Sequence, residues 1–102
     1  MRTQITISEY ADGHFIGARA SALPLRHNAE EILAQGQQVV FDFSSVEVTQ
    51  SFIDELVGGM ILRQGPELLS RIVFKTCSDN VRAIIRFVVS DRCEQYIKAH
   101  AH

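Results

Sequence analysis

A short run of bulky apolar residues, Val39 to Phe43, restricts the fold of this chain more than any other feature. Its length is typical of a strand, and its nearly continuous apolar character predicts a central strand covered on both faces. A segment beginning at Ser51 then carries two adjacent rows of apolar residues at helical spacing: Phe52, Leu56 and Met60, and Ile53, Val57 and Ile61. Because so wide an apolar stripe has to be buried, the sequence predicts a helix that packs against a sheet.

Two glycines, Gly58 and Gly59, interrupt the stripe of this helix. Each costs up to about 1 kcal/mol relative to Ala in a helix interior. A close contact between the helix and the sheet is the explanation we expect. Gly65-Pro66 marks the end of the helix, since Pro cannot continue it.

The start of the chain is strand-like. Ile5 and Ile7 alternate with polar residues, and the turn signal Asp12-Gly13 precedes Phe15 and Ile16. Alternation followed by an Asp-Gly turn predicts a hairpin or two short strands within residues 1–18.

The remaining segments alternate between helix and strand. A helix with Pro24 in its first turn and Gly36 at its C-terminal cap is predicted from its apolar positions, Leu25, Ala29, Ile32 and Leu33. Ile72 to Phe74 read as a buried strand, and Ser78-Asp79-Asn80 can cap a helix with apolar residues at Val81, Ile84, Ile85 and Val88. The tail after Cys93 is only weakly patterned, with Tyr96 and Ile97 as candidates to dock on the fold.

The element order β-β-α-β-α-β-α predicts an α/β fold. We expect one domain over residues 1–102, with a mixed or mostly parallel sheet of about four strands and three helices packed against it. Neither a signal peptide nor an apolar run of membrane-spanning length is visible, so a cytoplasmic protein without membrane contact is predicted.

Charge and motif content argue against nucleic-acid binding and catalysis. The 10 Lys and Arg residues are scattered among 12 Asp and Glu, giving a net charge of -2, whereas nucleic-acid binding needs clustered basic residues. No phosphate-binding glycine motif is present, and the two cysteines, Cys77 and Cys93, are expected to be packing residues. The histidines show no ligand spacing within one element: His14, His27, His100 and His102. We therefore expect no enzyme activity, no cofactor and no metal site.

Two segments resemble a known family. Asp42-Phe43-Ser44-Ser45-Val46 and Ser51-Phe52-Ile53-Asp54-Glu55-Leu56 are similar to the STAS-like domains of unknown function of the DUF4325 type. In that family a strand ends in Asp-Phe-Ser-Gly-Val, and a helix then opens with Ser/Ala-Phe-Ala-Asp-Glu-Leu. Here Ser45 stands in place of the usual Gly, and Ile53 in place of the usual Ala. Arg19, followed by Ala20-Ser21-Ala22, resembles the segment that opens the first helix of such domains.

The family is similar in turn to the anti-sigma factor antagonists, whose helix opens with Asp-Ser-Ser-Gly. In those domains the first Ser is phosphorylated by a partner kinase that is also the anti-sigma factor, and Ser51 falls on that position. Gln50, Phe52 and Ile53 replace the other three residues of the tetrapeptide. The resemblance implies a regulatory protein-binding module whose partner is an ATPase of the histidine-kinase-like type.

Ser51 has two interpretations. As the N-cap of its helix, with Asp54 completing an S-x-x-D box, it would contribute about 1 kcal/mol. As a phosphorylation site it would receive a phosphate at a helix N-terminus, but Asp54 and Glu55 in the first turn would repel that phosphate. Asp42 is expected to accept hydrogen bonds from backbone N–H groups of the loop that follows it.

The sequence therefore predicts a partner-binding surface around the start of this helix. Its residues are Ser44, Ser45, Thr49, Gln50, Ser51, Phe52, Asp54 and Glu55. Two alternatives remain open: an unphosphorylated structural subunit or homodimer, and a domain that binds a small ligand or nucleotide at the C-terminal edge of the strands.

Overall fold

The chain forms five strands and four α-helical segments, in a computed structural model that describes residues 1–101. The elements are β1 (Arg2–Thr6), a 3₁₀ turn (Ile7–Tyr10), β2 (Phe15–Ile16), α1 (Arg19–Ala34), β3 (Gln38–Asp42), β4 (Glu47–Val48), α2 (Gln50–Ile53), a π turn (Asp54–Gly58), α3 (Gly59–Gln64), a second 3₁₀ turn (Pro66–Arg71), β5 (Ile72–Lys75) and α4 (Asp79–Ala99). The α/β class is confirmed. The expected count of four strands and three helices matches only roughly, because β4 carries no sequence signal and the Ser51 helix is divided by the π turn.

The central sheet has the strand order β1-β3-β5, and both of its strand pairs are parallel. β3 lies in the middle, as the apolar run predicted, and Phe41 is aligned with Ile5 on one side and Phe74 on the other. The two-residue strands β2 and β4 form a second, separate parallel pair. A mostly parallel sheet was therefore the correct expectation.

The hairpin alternative for the first 18 residues is wrong. The Asp12-Gly13 turn exists, with Gly13 at a φ of 66° and a bridge between Asp12 and Phe15. However, Ile7 lies in the 3₁₀ turn rather than in a strand, and that turn redirects the chain after β1. β1 and β2 consequently enter different sheets.

Within the described residues 1–101, helices cover one face of the central sheet and leave the other open, which corrects the prediction for β3. Val39 and Phe41 are fully buried in the main apolar cluster. Val40 points to the other face, where a shallow depression of about 270 Å³ is lined by Arg2, Gln4, Val40, Val73 and Lys75. Long polar side chains bury Val40 on this face, so a continuous apolar run did not require a second layer of helices.

Helix α1 begins at Arg19, as the family resemblance implied, so Pro24 lies in its second turn rather than its first. Gly36 follows the C-terminus of α1 with a φ of 80°, a left-handed conformation that suits Gly and confirms the predicted cap. Gly65-Pro66 likewise ends α3.

Helix α4 is longer than its sequence pattern indicated. Ser78 caps it by accepting a hydrogen bond from the Val81 N–H at 3.1 Å, as predicted, but the helix continues to Ala99 instead of weakening after Cys93. Tyr96 explains the extension, because its ring packs closely against Gly65, where a Cβ would lie 3.0 Å from Cζ of the ring. Ile97 does not dock and is 61% exposed.

Candidate functional site

The loop after β3 is organised by Asp42. Its Oδ1 accepts hydrogen bonds from the Ser44 N–H at 3.0 Å and from the Ser44 hydroxyl, and its Oδ2 accepts one from Gln4 Nε2 at 3.2 Å. The Ser44 donors hold the pKa of the Asp42 carboxyl below its usual range. Asp42 thus fixes the loop from within, which confirms the backbone hydrogen bonding expected for it.

Ser45 is held in a left-handed conformation in this loop, with a φ of 57°. This backbone region favours Gly, and Gly is the residue the family pattern has at this position. Ser45 is exposed, and its carbonyl oxygen lies 3.1 Å from His14 Nδ1. The loop therefore keeps its shape at some conformational cost and presents Ser45 to solvent.

Thr49, not Ser51, is the N-cap of the helix. Its hydroxyl accepts a hydrogen bond from the Phe52 N–H at 3.1 Å and donates one to the Gly17 carbonyl. The helix accordingly begins at Gln50, and the predicted box between Ser51 and Asp54 does not form. The sequence missed this because Thr and Ser are both good caps, and the choice between them depends on where Gly17 lies.

Gln50 and Ser51 form the exposed first turn of α2, whereas Phe52 is fully buried. Ser51 therefore does not cap the helix, and a role as N-cap does not explain why a serine is present at this position. Phe52 is a core residue that packs beneath this turn. This corrects the prediction that Phe52 is a surface residue that contacts a partner.

Asp54 and Glu55 are engaged in ion pairs within the chain. Asp54 contacts Arg92 at 2.6 Å and Arg19 at 3.0 Å, while Glu55 contacts Arg26 and lies 3.7 Å from Arg19. The hydrogen bond from Arg92 is the main reason that the pKa of Asp54 is lowered. These carboxylates tie the π turn to α1 and α4, so their side chains are engaged by contacts within the chain.

Gly58 makes room for this ion-pair cluster. A Cβ at Gly58 would collide with the Asp54 carboxylate and would lie 3.3 Å from Cγ of Arg92. The predicted reason for the glycine pair, a close approach to the sheet, is therefore wrong. At Gly59 a Cβ would meet the side chain of Arg63 at 3.4 Å, an ordinary contact.

Phe15 is an exposed aromatic residue beside the helix start that the sequence interpretation did not include. Its side chain is 52% exposed, and its ring and the Thr49 side chain both lie over Gly17, where a Cβ would meet them at 2.5 Å and 2.7 Å. β2 aligns Phe15 with Glu47, so the ring flanks the loop that leads to Ser51. The place of Phe15 after an Asp-Gly turn does not indicate that its ring lies over Gly17 beside Thr49.

An open hollow of about 550 Å³ adjoins the same loop. It lies beyond the carboxyl ends of β3 and β5 and is lined by His14, Phe43, Ser45, Val46, Glu47, Thr76, Cys77 and Ser78. Burial raises the pKa of the Cys77 thiol, which disfavours the reactive thiolate. Both cysteines are free and half-buried, as expected of packing residues.

Within residues 1–101, no group of three or more His, Cys, Asp or Glu side chains is arranged to hold a metal ion. No helix in that range is both long and apolar enough to cross a membrane. His100 stacks on Tyr96, and His102 lies outside the described residues.

β3, the central strand of a parallel sheet, ends at Asp42. Phe43 and Ser44 follow it, and a helix starts beside the resulting loop, an arrangement that fits the STAS-like class of domains. The chain belongs to the family described as STAS-like domain of unknown function (DUF4325), whose model matches residues 21–82, more than half of the chain. The matched range extends from α1 to the start of α4 and includes the loop and the helix start. No curated protein and no solved structure matches the chain.

Proposed function

We propose that this protein is a non-catalytic regulatory module that binds a partner protein through a docking surface formed by Phe15, Ser44, Ser45, Gln50 and Ser51. The supporting observation is that four of these side chains are exposed while the backbone beneath them is fixed. Asp42 holds the loop, and Thr49 caps the helix and binds the Gly17 carbonyl. A surface fixed in advance loses little conformational entropy when a partner binds.

Phe15 is the anchor that we expect a partner to cover. Exposed aromatic side chains contribute strongly to interfaces once they are buried, and the hollow beside Ser45 can receive a side chain from the partner. Replacing Phe15 with Ala is expected to weaken partner binding about tenfold or more. Leu62→Ala, at an exposed apolar residue on α3, is the matched control and is expected to leave binding unchanged.

The partner that the family suggests is an ATPase of the histidine-kinase-like type, acting as an anti-sigma factor and serine kinase in the cytoplasm. This assignment rests on the similarity of STAS-like domains to anti-sigma factor antagonists. The position of Ser51 favours it, since an exposed Ser at the start of the helix corresponds to the phosphorylated Ser of those antagonists.

Charge at the helix start permits a phosphate on Ser51. Asp54 and Glu55, which would otherwise repel it, are each paired with arginines: Arg19, Arg26 and Arg92. A phosphate adds a charge of about -1.5 to -2 at pH 7 and three acceptor oxygens, so it would disrupt a docked interface at this point. Because Thr49 supplies the cap, modification of Ser51 would leave the helix intact.

The test is affinity capture with immobilised wild-type protein and three variants, followed by mass spectrometry. Wild type and Ser51→Ala are expected to retain an ATPase of this type. Ser51→Asp is expected to lose it, and Ser70→Asp, at an exposed serine in the second 3₁₀ turn, to retain it. Incubation of the captured complex with ATP should place a phosphate on Ser51. Equal capture by Ser51→Asp and wild type would reject the switch and favour an unphosphorylated structural subunit.

A small-ligand or nucleotide-binding domain is the second candidate, favoured by the hollow of about 550 Å³ at the carboxyl ends of β3 and β5. Ligands in open α/β sheets bind at this edge. Thermal melts with a panel of nucleotides test it. A melting temperature that rises with ligand concentration, and does not rise after Ser45→Trp, would support this function.

A further inference from the structure

The guanidinium of Arg19 lies over the first turn of the helix that carries Ser51. Its Nη1 is 3.0 Å from Asp54 Oδ2 and 3.7 Å from Glu55 Oε1. These two residues follow Ser51 by three and four positions, and residues at such spacings are neighbours on the surface of a helix. The Asp54 N–H bonds to the Gln50 and Ser51 carbonyls, so helical geometry holds here. Ser51 is thus the third corner of the patch that Arg19 contacts at the other two.

Arg19 has no carboxylate of its own among the described residues. Asp54 lies closer to Arg92, at 2.6 Å. Glu55 is likewise closer to Arg26 than to Arg19. The Arg19 side chain is also 50% exposed, whereas those of Arg26 and Arg92 are only 15% and 22% exposed. Arg19 can therefore turn to another anion, and each carboxylate keeps an arginine when it does so.

The surroundings of Arg19 do not oppose an additional anion. The first turn of α1 contains no Asp or Glu, and Ala18 before it supplies no side-chain cap. The Thr49 hydroxyl donates to the Gly17 carbonyl, which holds the start of α1 beside the start of α2. Glu47, the acid that precedes α2, accepts a hydrogen bond at 3.0 Å from Asn80 at the start of α4. The carboxylates around Ser51 are thus already occupied by partners within the chain.

We propose that Arg19 is the phosphate-binding residue of this site: when Ser51 carries a phosphate, the Arg19 guanidinium leaves Asp54 and Glu55 and binds the phosphate oxygens. The inference rests on the proposed phosphorylation of Ser51, in which the γ-phosphoryl group of ATP passes to the hydroxyl oxygen and ADP and the hydroxyl proton are released. A phosphate carries more charge and more acceptor oxygens than a shared carboxylate, and Arg can donate two parallel N–H bonds to it. The phosphate is then held against α1.

Phosphorus NMR of the chain with phosphoserine incorporated at position 51 during translation tests this contact without a kinase or a partner. The second pKa of phosphoserine is ordinarily about 6. Contact with Arg19 is expected to lower that pKa by about half a unit, whereas Asp54 and Glu55 acting alone would raise it. Arg19→Gln is expected to return the pKa to about 6 or above.

Two controls accompany this titration. Arg63→Gln removes a half-exposed arginine of α3 that pairs with Glu30, and it is expected to leave the phosphate pKa unchanged. Phosphoserine at position 70, in place of the exposed Ser70 of the second 3₁₀ turn, is the reference phosphate and should not respond to Arg19→Gln. A position-51 phosphate whose pKa is the same with and without Arg19 would overturn the proposal, as would an equal response at position 70.

Urea denaturation gives a second measure of the same contact. Arg19→Gln is expected to lower the urea midpoint more in the chain phosphorylated at Ser51 than in the unmodified chain, where Asp54 and Glu55 keep their other arginines. Equal losses in the two chains would contradict binding of the phosphate by Arg19.

Partner capture reports on the proposed function separately. If the phosphorylated chain loses the partner but its phosphate pKa does not depend on Arg19, the switch stands and the Arg19 contact is rejected. If the pKa depends on Arg19 but the phosphorylated chain still captures the partner, the contact stands and the switch is rejected.

Discussion

Asp42 and Asp54 are both largely shielded carboxylates with lowered pKa values, but their partners come from different distances along the chain. Asp42 is stabilised first by Ser44, two residues away, through the N–H and the hydroxyl. Asp54 is stabilised first by Arg92, 38 residues away, and then by Arg19, 35 residues away. One carboxylate shapes its own loop, and the other holds two distant helices to the π turn. Four residues of the proposed docking surface, Ser44, Ser45, Gln50 and Ser51, lie between these two carboxylates in the sequence.

The largest effect is expected from crowding the Asp54 cluster. Gly58→Ala places a Cβ where the Asp54 carboxylate lies, and overpacking of this kind costs about 2 kcal/mol. Gly59→Ala has room and removes the entropic penalty of Gly, so it is expected to stabilise the fold by about 0.5 kcal/mol. Urea denaturation of the two variants measures the contrast. Equal effects would show that the Asp54 cluster does not require Gly58.

Replacing each Asp with Asn removes the charge of its carboxylate. The two variants therefore separate stabilisation by ion pairs, at Asp54, from stabilisation by local hydrogen bonds, at Asp42. Asp54→Asn is expected to cost about 1–2 kcal/mol, because it leaves Arg92 without its main partner in a partly shielded site. Asp42→Asn is expected to cost about 1 kcal/mol through weakened bonds from Ser44. At about 1 M salt the first cost should shrink and the second should not, since screening acts on ion pairs. Denaturation of both variants with and without salt checks this, and an equal response would remove the distinction.

The pH dependence of stability is a further test of how Asp42 and Asp54 stabilise the fold. Both folded-state pKa values are lowered, so each carboxylate contributes stability above its unfolded pKa of about 3.9 and loses it as the pH falls through the folded value. The stability difference between wild type and either Asn variant should therefore be constant from pH 7 to about pH 5 and disappear under stronger acid. Urea melts across this range measure it. A difference that persists at the acid end would assign the effect to packing.

The smallest effect is expected in the loop that Asp42 shapes. Ser45→Gly relieves the left-handed conformation, which costs a non-Gly residue about 1 kcal/mol, but it also adds freedom to the unfolded chain. A net gain of about 0.5 kcal/mol is expected in thermal or urea melts. Ser44→Gly is the contrasting variant, because it removes the hydroxyl bond to Asp42 and should destabilise the loop. A loss of stability in Ser45→Gly would show that the side chain of Ser45 stabilises the loop.

The sequence predicted the Asp42 loop better than the Asp54 cluster. Hydrogen bonding between residues two apart follows from local chain geometry, so the role of Asp42 was accessible from its position after an apolar strand. The partners of Asp54 come from α1 and α4, and no local pattern identifies them. The same limitation explains the N-cap: Ser51 and Thr49 are both suitable by type, with Ser slightly preferred, and the Gly17 carbonyl from another segment favours Thr49.

By itself the sequence determined the α/β alternation, the central place of β3, the turn at Asp12-Gly13, the caps at Gly36 and Ser78, and the family resemblance, because apolar periodicity and turn chemistry act over a few residues. Only the tertiary structure decided which strands pair, that one sheet face stays open, that Phe52 is buried while Phe15 is exposed, and that Asp54 and Glu55 are bound internally. These features depend on contacts between residues tens of positions apart, and the chain brings those residues together only when the whole core forms.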